Sequence, residues 1–321
     1  MTVPEKKTLA TIAIYYVVAL IIMTSAHFSP ATAELVVYLP IVLSILLLIP
    51  VYAWQRNYRK KPELSKEHVK RDKSRVIFWV FALFILAMSI RIPSVLLFSE
   101  PYEKTPLIYL LVLTMLLIER TDLVAFGFKT RNLGKSLLYG LAFFVLLNGL
   151  ASTIMHVSIY IFTNQAPVQS FDFGYSVLTM PFMTFCVAIS EEGLFRGYIQ
   201  THFHDFSPKK AIVIQAMLFG AWHFVWNLSP FNPLGMAQYV IATFFIGLIF
   251  GYFYDKTKNL TPLIFAHGLW NSVPPAIIQS DAAQNFISAL VLPNQLMLMF
   301  LPFVLSAVVT IVFTKYLVKT V

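Results

Sequence analysis

A single cysteine, Cys186, stands in a chain of 321 residues, which excludes an intramolecular disulfide and any CxxC metal or redox pair. Charge is also scarce: charged residues make up 12% of the chain, and only 15 residues are acidic. No Gly-x-Ser-Gly nucleophile, no His-Glu-x-x-His pair and no paired aspartates in apolar stretches occur, so the motifs of three hydrolase chemistries are missing. No internal repeat or low-complexity tract is visible. What dominates instead is hydrocarbon. Hydrophobic residues reach 58% and the mean hydropathy is +0.73, values that a water-soluble globular domain does not show. The sequence predicts an all-α integral membrane protein, a polytopic transmembrane helix bundle of about eight to ten helices with a polar intramembrane cavity.

Apolar runs able to cross about 30 Å of hydrocarbon fall at 8–28, 35–54, 76–98, 106–118, 136–163, 176–200, 210–226, 235–254, 261–278 and 294–314. The 106–118 run is short, and Arg91 followed by Pro93 interrupts its predecessor, which leaves room for one kinked or re-entrant segment. Residues 9–23, with Lys6 and Lys7 ahead and Ala31-Thr32-Ala33 behind, imitate a secretory signal but read as an uncleaved first span. The chain divides into an N-terminal membrane region, 1–135, with a basic loop at 55–75; a central helix bundle, 136–278, that holds the polar intramembrane residues; and a C-terminal transmembrane helix, 279–321.

The cations test this segmentation independently. Of 24 Lys and Arg residues, all but Arg91, Lys104 and Arg196 fall in alternate connections, which predicts that both termini are cytoplasmic. The net charge of +9 is accounted for by juxtamembrane cations facing anionic lipid and calls for no nucleic acid partner.

Six ionisable or polar side chains stand out in the apolar runs: Glu191, Glu192, Arg196, His223, His267 and Asn271. A charge at a helix centre costs roughly 2.5–3.5 kcal/mol on insertion scales, so a functional site is the default reading of such a cluster. Glu192 and Arg196 are four residues apart, on one helical face with the acid N-terminal to the base, and can pair. Glu191 is rotated about 100° from Glu192 and remains available for chemistry. The bland alternative is a helix-fixing ion cluster. His223 follows Phe219 by one turn, and His267 precedes Asn271 by one turn; two donors so spaced can hold a developing oxyanion, or Asn271 can simply bond to another helix.

The three motifs, Glu-Glu-x-x-x-Arg at 191–196, Phe-x-x-x-His at 219–223 and His-x-x-x-Asn at 267–271, resemble those of the CPBP family. That family comprises type II CAAX prenyl endopeptidases and bacteriocin-processing or self-immunity membrane proteins. The resemblance covers 136–278, most sharply 187–275. It implies an intramembrane endopeptidase that hydrolyses a peptide bond in a membrane-associated substrate, such as a prenylated CAAX-type or leader peptide. Carried over, Glu191 would deprotonate a water that His223 helps to hold, His267 and Asn271 would stabilise the oxyanion, and Glu192 and Arg196 would serve the architecture of the site. Two histidines and a glutamate also match the donor count of a catalytic zinc, but the resemblance favours glutamate and water with no cofactor. The rival classes are a proton-coupled transporter and a non-catalytic immunity or scaffold protein; against transport, no inverted halves are visible and the polar residues are confined to the second half. Oligomeric state is left open. Depth along the helices raises one conflict: Glu191 falls toward the cytoplasmic end of its expected span and His267 about 9 Å into its own, whereas His223 falls about 20 Å in.

Overall fold

The computed structural model describes residues 73–93, 95–96, 123–164, 173–273 and 281–318, together with three isolated positions nearer the N-terminus. The expected spans at 8–28, 35–54 and 106–118 and the basic loop at 55–75 lie almost wholly outside the described residues. Among the described residues the architecture is helical, apart from one bridge pairing Leu228 with Phe231.

Helix α1 is Lys73–Pro93. Helix α2 runs without a break over Leu133–Thr163, and α3 over 173–204. Helix α4 is Pro208–Trp222, α5 Pro233–Thr257, α6 Thr261–Ser272, α7 Asp281–Ala289 and α8 Leu292–Tyr316. Five of these, α1, α2, α3, α5 and α8, contain stretches long and apolar enough to cross a membrane. They coincide with five of the runs found in the sequence. The other two described runs end early: α4 has 15 residues and α6 has 12, short of the roughly 20 that a bilayer requires. Helix α4 ends at Trp222, directly before His223, and α6 ends one residue past Asn271, directly before Val273. Backbone that stops being helical at membrane depth is tolerated only against protein or a water-lined space.

Local signals explain the helix starts. The Ser207 hydroxyl accepts from the Lys210 amide at 3.4 Å, and Pro208 needs no amide partner in the first turn of α4. Asn232 does the same for α5 through the Gly235 amide at 2.9 Å, ahead of Pro233.

Helices α3, α4 and α5 meet through small residues and buried amides. A side-chain carbon at Gly247 would stand 3.0 Å from the Ala216 Cα, so α5 approaches α4 at backbone distance. At that approach Gln215 Nε2 donates to the Gly247 carbonyl at 2.7 Å, and Gln200 Nε2 donates to the Gly251 carbonyl at 2.8 Å. The Gly247-x-x-x-Gly251 pattern thus serves helix packing. Helix α1 joins the same core: Val80, Leu83 and Ala87 pack with Phe195, Phe219 and Trp222.

The start of α6 is covered from above by the 123–131 segment. The Leu260 amide donates to the Gly127 carbonyl at 2.7 Å, the Thr261 hydroxyl to the Lys129 carbonyl at 2.6 Å, and the Tyr254 hydroxyl to the Phe126 carbonyl at 3.0 Å. Asn259 is fully buried, donating to the Ser136 hydroxyl at 3.1 Å and accepting from the Thr261 amide at 3.0 Å. Helix α6 therefore begins inside the protein.

Candidate functional site

Glu191 and Glu192 end a four-residue α-helical stretch, Ile189–Glu192, flanked by two π-helical stretches, Met183–Ala188 and Gly193–Gln200, within the otherwise continuous α3. Wide turns of this type shift the angular register of a helix and recur at functional sites. Both glutamates are buried, Glu191 at 2% exposure and Glu192 at 0%.

Their two carboxylates are used differently. Glu192 Oε1 accepts from Arg196 Nη1 at 3.1 Å, the i to i+4 pair legible in the sequence, and from His267 Nδ1 at 2.7 Å. Arg196 is fully buried, its guanidinium 4.2 Å from the Phe219 ring centre and 5.1 Å from that of Phe250. A carboxylate and two aromatic faces thus compensate this cation.

Glu191 keeps one oxygen for structure: Oε1 accepts from the Trp222 indole Nε1 at 3.0 Å. The other oxygen, Oε2, faces two imidazoles, His267 Nε2 at 3.7 Å and His223 Nε2 at 4.0 Å. Both rings are oriented from behind. His223 Nδ1 lies 2.7 Å from the Phe219 carbonyl and so donates to it, while His267 Nδ1 is held by Glu192. In both histidines it is therefore Nε2 that is directed at Glu191.

The depth conflict dissolves in the structure. Helix α3 continues to His204 rather than stopping near 200, which puts Glu191 13 residues, or about 20 Å, from that end. His223 stands at the opposite end of α4, a similar distance from the 205–207 turn. His267 reaches the same place after about 9 Å because α6 starts beneath the 123–131 segment.

Five of the six residues singled out from the sequence, Glu191, Glu192, Arg196, His223 and His267, are thus linked through direct contacts of 4.0 Å or less. Asn271 lies one turn beyond His267, half-buried, and its side chain makes no hydrogen bond to another described residue. Sequence reasoning missed the part played by Trp222, although a buried indole needs an acceptor and this one is adjacent to His223. It also took Arg91 only as an interruption of a span. The structure buries Arg91 completely, with its guanidinium 4.5 Å from the Trp222 ring centre and 5.3 Å from that of Trp226.

Residues 173–273 match the family model described as type II CAAX prenyl endopeptidase, Rce1-like. This segment is similar to that family. The Rce1-like segment runs from the start of α3 to the end of α6, so it holds all six residues above and leaves Arg91 outside it. The match likens the segment to CAAX-type endopeptidases. With the five apolar helices it makes the chain an integral membrane protein. Neither a curated protein nor a solved structure matches the chain.

A tetrahedral zinc fixes how far apart its donors stand. Ligands about 2.0 Å from a tetrahedral zinc stand roughly 3.3 Å from one another. The 3.7 and 4.0 Å gaps around Glu191 Oε2 are wider, and among the described residues no three His, Cys, Asp or Glu side chains gather tightly enough to hold a metal ion. As positioned, these residues do not fit zinc.

Proposed function

We propose that this protein is an intramembrane endopeptidase that hydrolyses a peptide bond in a membrane-associated substrate through a glutamate-activated water. The observation that carries the reading is the approach of Glu191 Oε2 to His267 Nε2 at 3.7 Å and to His223 Nε2 at 4.0 Å. A water that hydrogen-bonds two groups at about 2.8 Å each bridges gaps of this width.

The hydrogen bonds behind the site support the following roles. His223 donates through Nδ1, so its neutral ring presents a lone pair at Nε2 that accepts one water proton. Glu191 Oε2 accepts the other, while the indole bond on Oε1 fixes the orientation of the carboxylate. The water oxygen is left with its lone pair free to attack a carbonyl carbon as Glu191 takes the proton. The resulting oxyanion needs donors. Asn271 supplies an amide, and His267 supplies Nε2–H when doubly protonated, with Glu192 2.7 Å from Nδ1 as its counter-charge. Glu191 then returns its proton to the departing nitrogen as the C–N bond breaks, which leaves a carboxylic acid and an amine; transfer of the acid's remaining proton gives a carboxylate and an ammonium ion.

A farnesylated peptide with a CAAX-type end and its unprenylated counterpart are to be incubated with the purified protein in nanodiscs, with products read by mass spectrometry. Cleavage by the wild type and none by Glu191→Gln is the expected result. Equal cleavage by both would overturn the mechanism, and ion-dependent uptake into liposomes without any cleavage would replace it with transport.

A further inference from the structure

Hydrocarbon offers a peptide no hydrogen bonds, so a site that holds an extended substrate backbone at membrane depth has to supply donors for its carbonyls. Around Glu191 several donors are already spent inside the protein: the Trp222 indole on Glu191, Arg196 Nη1 and His267 Nδ1 on Glu192, and His223 Nδ1 on the Phe219 carbonyl. Two others donate to no other described residue and belong to side chains that are not fully buried. One is the Asn271 amide, which the mechanism above gives to the oxyanion. The other is the hydroxyl of Tyr239 on α5, a residue 43% exposed. Its place beside the site is well defined. The Tyr239 ring centre lies 5.7 Å from that of His223, with the planes tilted by 59°, and the residue is within electrostatic range of Glu191. A side-chain carbon at Gly220 would stand 2.8 Å from the Val240 carbonyl oxygen, so the last turn of α4, which presents His223, meets α5 at backbone distance one residue past Tyr239.

We propose that Tyr239 is a substrate-contacting residue: its hydroxyl donates a hydrogen bond to the peptide carbonyl next to the scissile one. The inference rests on the endopeptidase reading of the site. Tyr239 stands on the His223 side of Glu191, whereas Asn271 follows His267 on α6. In an extended peptide successive carbonyls point to opposite edges and follow one another at about 3.3–3.6 Å per residue. When the scissile oxygen turns to Asn271 and His267, its neighbour therefore turns to the other edge, where Tyr239 has a donor to give. A phenol suits this position. It carries a proton to donate without a charge to bury, and its ring packs on His223 while the hydroxyl stays available to the substrate.

The test is steady-state cleavage of the farnesylated CAAX-type peptide by wild type and Tyr239→Phe in nanodiscs, together with two analogues in which the amide before or the amide after the scissile bond is replaced by a trans-alkene. A bond to a flanking carbonyl exists before and during attack, so Tyr239→Phe is expected to raise KM about 3–10-fold with kcat little changed. With one of the two alkene peptides that loss should vanish, because the acceptor is already gone. A Phe variant identical to wild type overturns the inference. So does a loss that persists with both analogues, which is the pattern of a merely structural role and would accompany a lowered melting temperature. A fall in kcat at unchanged KM overturns it as well, since that marks a donor to the oxyanion and not to a flanking carbonyl. The parent reading has its own failure: cleavage that survives Glu191→Gln removes the base itself, whatever Tyr239 does.

Discussion

The carboxylates of Glu191 and Glu192 are neighbours in the chain and opposites in function, and the difference lies in what each oxygen meets. Glu192 spends Oε1 on a guanidinium and an imidazole, so it holds the site together. Glu191 spends one oxygen on an indole and turns the other to the two Nε2 atoms. Glu191→Gln should therefore lower turnover by about 10²–10⁴-fold while melting temperature is kept, measured by peptide cleavage alongside thermal unfolding. Glu192→Gln should behave in the other way: it leaves Arg196 buried without its partner, which costs roughly 3–5 kcal/mol, and the melting temperature falls with the activity. On the proposed mechanism, Asn271→Ala removes only an oxyanion donor. It is expected to reduce kcat about 10²-fold with KM little affected, as steady-state kinetics would report.

Elements carry the site by being interrupted at the right points. Helix α4 stops at Trp222 and thereby presents His223 at its end, while α3 widens on both sides of the glutamates. The contact of α5 with α3 and α4 has no room for added carbon at Gly251, where a new side-chain atom would overlap the Gln215 amide and come 3.0 Å from Gln200 Oε1. Gly251→Leu is expected to destabilise the protein by about 1–3 kcal/mol through overpacking, seen as a lower melting temperature in detergent. Because Gln200 and Gln215 tie α5 to the helices that bear Glu191 and His223, activity should fall in the same variant.

For the whole molecule, three expectations are measurable. Dialysis against a strong chelator should leave the cleavage rate unchanged, since the site residues as positioned do not fit zinc; a loss restored by added zinc would reverse that reading. Reporter fusions at the two ends should both report the cytoplasm, as the alternation of Lys and Arg requires. Fractionation of the intact chain should find it in the membrane pellet after carbonate washing, given five helices able to cross a bilayer.

Composition and spacing determined by themselves that this chain lives in lipid, and they predicted that its polar residues gather, because hydrocarbon tolerates a charge only where something compensates it. The Glu192–Arg196 pair was also legible, since four residues make one helical turn and π turns after Glu192 did not separate the partners. What periodicity could not report was anything that crosses between helices. Local spacing left His223 and Glu191 at different depths, and only the extension of α3 to His204 and the burial of the start of α6 brought the three helices level. Trp222 and Arg91 became part of the site for the same reason: a hydrogen bond and a ring contact between residues from separate helices exist only once those helices have packed.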